Sequence, residues 1–385
     1  MVGVRQFIWF ALAMLPVSLM VEPTVAQTFD WRGQVSGWLT VNDGNSPNKQ
    51  LGVRYIPEFS GNWSAGDEWR FDVNIAFNGY ARADFGKLDD ADTDGELDAY
   101  RLWVRASSSQ LELRLGLQKI NFGSATLLRP LMWFDRIDPR DPLQLTDGVY
   151  GFLARYYNVN NANVWFWVLL GNDDPKGREV FGSVEDEPEY GGRVQLPVPS
   201  GELALSYHHR SFQVSVGPMI DMPEFLLTVG EDRFALDGKW DVVVGAWFET
   251  DFTHYDNRFL PYSWQRAVNV GIDYTFGVGN GITATTEYFG VRLADGFWSN
   301  GDGVDMSALS LMYPWDLVNN VSTVVYYNWD SEDWYRLVDW QQLYDNWNIH
   351  VIGYWNPDQY SITELTTGAG AYSGTGLQLL LVYNH

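Results

Sequence analysis

Apolar residues recur at every second position along most of this chain. Leu51, Val53, Tyr55, Phe59 and Trp63 alternate with Gly52, Arg54, Glu58, Ser60 and Asn62. Trp69, Phe71, Val73, Ile75 and Phe77 alternate with Arg70, Asp72, Asn74 and Asn78. Leu111, Leu113, Leu115 and Leu117 alternate with Glu112, Arg114, Gly116 and Gln118. Trp264, Val268, Val270, Ile272, Tyr274 and Phe276 alternate with Gln265, Asn269, Gly271 and Asp273. Successive side chains of a strand point to opposite faces, so each run has one apolar face. Each is about ten residues or longer, which is what a tilted strand needs to cross a hydrocarbon core. No sustained helical period appears. The longest apolar stretches after residue 27, such as 164–170 and 242–248, are strand-sized.

The connections between these runs alternate in length. Segments 42–50, 84–98, 123–148, 172–187, 211–231, 292–305 and 356–374 are long, and 254–263 is moderate. Segments 64–68, 107–110, 158–161, 199–202, 238–241, 277–281, 314–320 and 345–346 are short. Segment 330–333 is a short exception on the long side. Short turns at one end and long loops at the other mark a barrel in an outer membrane. The pattern predicts an all-β, antiparallel up-and-down transmembrane β-barrel of about 18 strands. The strand near 234–237 is indistinct, which leaves 16 as the alternative.

The two ends of the chain agree with this. Residues 1–26 read as a signal peptide: Arg5 supplies the positive region, 7–20 the apolar region, and Thr24-Val25-Ala26 the small-residue cleavage site. An uncleaved anchor is the alternative, for which the apolar region is short. Residues 27–385 then form one barrel domain. At the other end Leu377, Leu379, Leu381 and Tyr383 give a terminal strand one apolar face. Thr375, Gly376, Leu379 and Leu381 resemble the C-terminal β-signal of bacterial outer-membrane proteins, though His385 stands where that family usually has an aromatic residue. By architecture and this signal the mature chain resembles porin-like barrels, and more loosely the alginate-export-like ones. The resemblance implies the bacterial outer membrane, contact with its lipid, and recognition of strand 375–385 by the β-barrel assembly machinery.

Composition fits. Aromatic residues make up 16% of the chain, with 19 Trp and 21 Tyr, as expected where aromatic girdles mark both membrane interfaces. A mean hydropathy of −0.22 is no objection, because a barrel strand is apolar on one side only. A net charge of −24 excludes nucleic acid as a partner. There is no cysteine, so neither a disulfide nor a c-type haem motif is present.

The polar face of each strand should point into the lumen. Arginines dominate it early: Arg32, Arg54, Arg70, Arg101, Arg105, Arg114, Arg155, Arg193 and Arg210, with Arg336 later. Carboxylates dominate from Glu249 to Glu287, with Asp251 and Asp273 between them. Arginine in a pore favours anions. The alternative is that these charges only pair with one another. The segment 129–142 is too apolar and too rich in proline for a floppy loop. In trimeric porins an early long loop narrows the channel, and by resemblance Arg136, Asp138, Arg140 and Asp141 would stand near such a constriction. A rigid outer cap packed on Trp133 and Phe134 is the other reading. Asp90, Asp92 and Asp94 with Gly95 resemble part of a calcium loop, but Arg101 stands where the bidentate glutamate belongs. A solvated acidic loop tip is the alternative.

Catalysis has little support. No G-x-S-x-G motif occurs, and of the five His only His254, with Asp251 and Asp256 nearby, sits where an enzyme of this class could use it. The reading is a non-enzymatic, porin-like channel for small hydrophilic solutes, anions among them, with no resident cofactor beyond a calcium ion on an outer loop. The alternatives are a barrel partner in a larger conduit, for polymer export or with a cytochrome, and less readily an enzyme or adhesin. A homo-oligomer remains open.

Overall fold

The computed structural model describes residues 28–43, 49–87, 90–215, 226–256, 260–357 and 372–385. Segment 1–26, expected from the sequence to be a signal peptide, lies outside the described residues. Eighteen strands follow in order. The first six are β1 (Thr28–Asn42), β2 (Lys49–Ala65), β3 (Trp69–Lys87), β4 (Asp90–Ser107), β5 (Leu111–Gln118) and β6 (Val149–Tyr157). The middle six are β7 (Asn163–Leu169), β8 (Glu189–Val198), β9 (Gly201–Ser215), β10 (Leu226–Asp241), β11 (Gly245–Asp256) and β12 (Trp264–Phe276). The last six are β13 (Ile282–Ala294), β14 (Asp302–Pro314), β15 (Asn319–Asn328), β16 (Trp334–Leu343), β17 (Trp347–Trp355) and β18 (Thr375–Asn384). Each strand pairs antiparallel with the next, and β18 pairs with β1. The sheet is therefore closed, with no open edge to leave unbonded amides in lipid. The indistinct strand is β10, which pairs with both β9 and β11, so the alternative of 16 falls.

Closure is reinforced at the last residue. The His385 N–H donates to the Gly33 carbonyl at 3.0 Å, and the Gly33 N–H donates back at 2.9 Å. The His385 ring lies edge-on to Trp31 at 5.1 Å and stacks on Tyr383 at 6.3 Å. It occupies the place in the aromatic belt that the usual terminal aromatic residue would take.

The outward face carries the long apolar side chains. Leu377, Leu379 and Leu381 are 55%, 40% and 40% exposed, whereas inward-facing Leu380 and Val382 are buried. Aromatic pairs ring the outside at both ends. Trp347 packs on Tyr383 at 4.8 Å near the short turns, and Trp264 packs on Phe297 at 5.1 Å near the long loops. Trp38, Trp103, Trp165, Trp167 and Trp247 instead share the inward face, so the tryptophans are divided between the girdles and the lumen. Two inward rings cover glycines on the next strand: an added Cβ would lie 2.0 Å from Trp38 at Gly52 and 2.4 Å from Trp247 at Gly271.

Two strands run further than the sequence suggests. The acidic segment 84–98 is mostly hairpin, because β3 continues to Lys87 and β4 begins at Asp90. Asp92 lies opposite Asp84, and Asp94 pairs with Arg82 at 3.1 Å. Asp90, Asp92 and Asp94 thus occupy alternate positions of a strand and span roughly 13 Å along it. Among the described residues no group of three or more His, Asp or Glu could hold a metal.

Leu379 faces lipid and Gln378, which donates to Thr40 at 3.0 Å, faces the lumen. A carboxylate in hydrocarbon costs on the order of 1–3 kcal/mol depending on depth. Leu379→Asp should therefore reduce the folded, heat-modifiable band on an unboiled gel far more than Gln378→Asp. Equal folded fractions would reverse the assigned facing of β18.

Candidate functional site

The lumen has two unlike halves. On β2 to β6 the inward face carries Arg54, Arg70, Arg101, Arg105, Arg114 and Arg155, brought side by side by register: Arg105 lies opposite Arg114, and Arg155 opposite Glu112. Asp72 bonds Arg70 at 3.2 Å and Arg105 at 2.9 Å. Glu112 lies 3.0 Å from Arg114 and 3.7 Å from both Arg105 and Arg155. Arg54 and Arg101 have no carboxylate within ion-pair distance among the described residues. Four of the six guanidinium groups thus share Asp72 and Glu112, while the inward Glu58 of β2 pairs with Arg32 of β1, so guanidinium groups outnumber carboxylates along this wall. Indole and phenol rings hold several of them flat. Arg155 lies 3.8 Å over Trp165, Arg114 4.8 Å over Trp103, and Arg54 5.4 Å over Tyr80. Such stacking fixes a cation without neutralising it.

The opposite half is filled by the chain itself. The connection 119–148 enters the lumen and buries Ile120, Phe122, Leu131, Trp133 and Phe134 against inward Leu153, Trp167, Leu169 and Ala235. Leu127 and Leu128 pack on Ala267, Phe289, Met306, Tyr326 and Tyr335 of β12 to β16. Each such side chain contributes roughly 1.5–3 kcal/mol when removed from water. The inward reading of this loop holds, and the outer-cap reading falls.

Two of the expected pore carboxylates hold the loop. Glu287 accepts the backbone N–H of Thr126 at 2.7 Å, of Leu127 at 3.1 Å and of Leu128 at 2.6 Å. Glu249 accepts those of Ala125, at 2.7 Å, and Ser124. Asn269 donates to the Leu128 carbonyl at 2.7 Å. Amide donors offset the desolvation of a buried carboxylate, and hydrogen bonds to a charged group are worth about 1.5–3 kcal/mol each. Asp251 accepts from the Trp133 indole at 3.1 Å and from Thr253 at 3.0 Å. Asp273 also faces inward, nearer the short turns, opposite Gly245 and Thr285.

The four expected constriction residues lie on this loop but are largely engaged. Asp138 and Arg140 are buried and pair at 2.7 Å. Arg136 donates from Nε to the Gly177 carbonyl at 3.1 Å. Asp141 accepts the Leu143 N–H at 2.9 Å, and burial raises its pKa above the usual carboxylate value. Arg101 donates to the Thr146 carbonyl at 2.9 Å, which brings the loop against the basic wall.

The segment 170–188, which the sequence reads only as an outer loop, also folds inward. The Arg178 N–H donates to the Met132 carbonyl at 3.1 Å, so the two loops are joined. Gly177 has φ 52° there, and a Cβ would lie 2.1 Å from that carbonyl. Lys176, Glu179, Glu189, Arg210, Glu231 and Arg233 form one buried ionic cluster beside it. Arg193 forks onto Asp237 at 2.6 and 2.7 Å.

Two side chains point the other way. Arg336 is outward, because Tyr335 and Leu337 take the inward positions of β16. His254 is also outward, packed on Trp264 at 4.6 Å, with Asp251 on the opposite face of the same strand.

This closed barrel is similar to known ones. OmpT of Vibrio cholerae, an outer-membrane protein folded in vitro and solved in its trimer form, matches at 13% identity over 94% of this chain and 100% of that chain, with a TM-score of 0.51. OmpF of Salmonella typhi, solved in complex with daunomycin, matches at 11% identity over 93% of this chain and 97% of that chain, with a TM-score of 0.51. The chain has the fold of the bacterial outer-membrane β-barrels. No family model and no curated protein matches its sequence.

Glu249→Ala combined with Glu287→Ala should loosen the strip 124–128 within the outer-membrane barrel. Single-channel recording should then show larger and noisier steps than wild type, while Asp273→Ala leaves them unchanged. Identical steps in all three would show that apolar packing alone seats the loop.

Proposed function

We propose that the chain is a porin-like channel of the outer membrane, and that small hydrophilic anions pass beside the basic wall of β2 to β6. The observation that carries this reading is the surplus of arginine there. Of Arg54, Arg70, Arg101, Arg105, Arg114 and Arg155, four form ion pairs with Asp72 and Glu112 and two form none among the described residues, while Glu249 and Glu287 of the opposite half accept loop amides. Local pore charge sets selectivity. Acidic groups at the loop tips act through water and are screened beyond about 8–10 Å at physiological salt. Cation–π stacking keeps the guanidinium groups along the wall, so a passing anion meets donors already in place.

A sheath around a second chain has less support. Loops 119–148 and 170–188 of this chain occupy the space such a partner would need. An enzymatic role has less support, since of the residues near His254 that the sequence offers, Asp251 faces the other side of the wall and only Asp256 shares its face. The assembly machinery would read strand 375–385, which is the strand that completes the closure.

The test is the reversal potential across a planar bilayer under a salt gradient. Wild type should be anion-selective despite a net charge of −24. Arg54→Ala with Arg101→Ala removes the two guanidinium groups that lack a carboxylate and should bring selectivity toward neutral. Arg32→Ala with Glu58→Ala, which removes a paired cation together with its carboxylate, should change little. A cation-selective wild type, or a double variant with unchanged selectivity, would overturn the reading.

A further inference from the structure

At the long-loop end of the barrel, away from the basic wall, the two inward loops and β9 to β12 enclose a cavity of about 360 Å³. This lies at the small end of ligand pockets, which run to roughly 300–1,000 Å³. Its walls are mainly aromatic. Phe181 stacks on Phe212 at 5.6 Å, Phe212 meets Tyr255 edge-on at 6.1 Å, and Tyr255 meets Tyr262 at 5.6 Å. Trp133 of the loop 119–148 also lines it.

The charges at the cavity are unequally satisfied. Arg210 and Arg233 share Glu179 and Glu231: Arg210 lies 2.8 Å from Glu231 and 3.1 Å from Glu179, and Arg233 lies 3.0 Å from Glu179. Those four groups cancel. Asp251 is the remaining carboxylate, and its two oxygens already accept from Trp133 and Thr253. Arg178 is the remaining cation. It forms no ion pair among the described residues, and its guanidinium makes one hydrogen bond, from Nη1 to the Arg129 carbonyl at 3.3 Å. One face of it is covered by Phe289 at 4.6 Å. Burial pushes its pKa down to about 10, which still leaves it charged at neutral pH. A guanidinium carries five donors in a fork that matches a carboxylate. Arg178 therefore presents unused donors at a cavity lined otherwise by aromatic and aliphatic side chains and by polar groups that already have partners, the ion cluster and Asp251 among them.

We propose that this cavity is a binding site for a small organic monocarboxylate, with the carboxylate on Arg178 and an aromatic or short aliphatic body between Phe212 and Tyr255. A free inorganic anion would leave the aromatic walls unused. A neutral apolar molecule would leave the guanidinium donors unmet. A cation would face Arg178 and a carboxylate, Asp251, whose oxygens are already engaged. The site goes beyond anion passage, since it selects for a body as well as a charge.

The experiment is isothermal titration calorimetry of the full-length, detergent-folded protein with benzoate, benzamide, benzylamine and acetate. Benzoate should bind one to one, with the other three at least about tenfold weaker, as loss of one charged hydrogen-bonded pair implies. Arg178→Gln should reduce benzoate affinity to the level of benzamide, and Arg178→Lys should restore part of it. Heat-modifiability on a gel verifies that each variant has folded. Phe212→Ala, which keeps the cation and removes a wall, should weaken benzoate and leave acetate unchanged. Equal binding of benzoate and benzamide, preference for benzylamine, or undiminished binding by Arg178→Gln would overturn the proposal. So would no binding of benzoate at millimolar concentration. Benzoate binding without conductance would retain this site and remove the channel reading. Anion-selective conductance without benzoate binding would do the reverse.

Discussion

Hydrocarbon offers no water to bond a backbone amide, so every N–H and C=O that crosses it must be satisfied within the chain. Closure of β18 onto β1 meets that demand, and the other features follow from it. Once the sheet is a cylinder, strand periodicity assigns each residue to lipid or to lumen. The outward set is uniform because lipid is uniform. The inward set is not constrained in that way, and it is where this chain has become particular.

A cylinder of eighteen strands is wide enough inside to hold more than its own side chains. This one admits two of its loops on one side and leaves the other side to arginine. The two halves depend on each other. Carboxylates that bond the amides of 124–128, or that close the cluster around Arg210 and Arg233, are not free to neutralise the wall of β2 to β6. Seating the loop and leaving the wall positively charged are therefore one arrangement of charge. The formal charge of the whole chain is a poor guide to either half.

Much of the fold was legible in the sequence because lipid enforces a strict period of two, and turn lengths mark the two ends of the cylinder. Readings failed where that enforcement lapses. Beyond the membrane, β3 and β4 continue as a polar ladder, so Asp90, Asp92 and Asp94 look like loop residues. In β16 both faces carry large rings, Trp334 outward and Tyr335 inward, so the side to which Arg336 belongs could not be told from alternation. The apolar, proline-rich character of 129–142 pointed to an ordered loop, and its destination depended on partners a hundred residues and more away. The alternation puts Glu249 and Glu287 on the inward face, but it names no partners for them. Their partners are backbone amides, which no letter of the sequence records. For 170–188 the usable sign was Gly177 between charged neighbours, a small residue where another backbone passes closely.

The carboxylate latch also sets an order of events. Glu249 stands 124 and 125 residues along the chain from the amides it bonds, and Glu287 stands 159 to 161 from its own. Contacts of such separation form late, because the intervening chain must first be in place. Until β11 and β13 join the wall, the oily strip from Ile120 to Phe134 has neither acceptors nor cover. The loop is thus seated only once two strands far along the chain have taken their places in the wall, so the filling of one side of the lumen waits on the second half of the sequence.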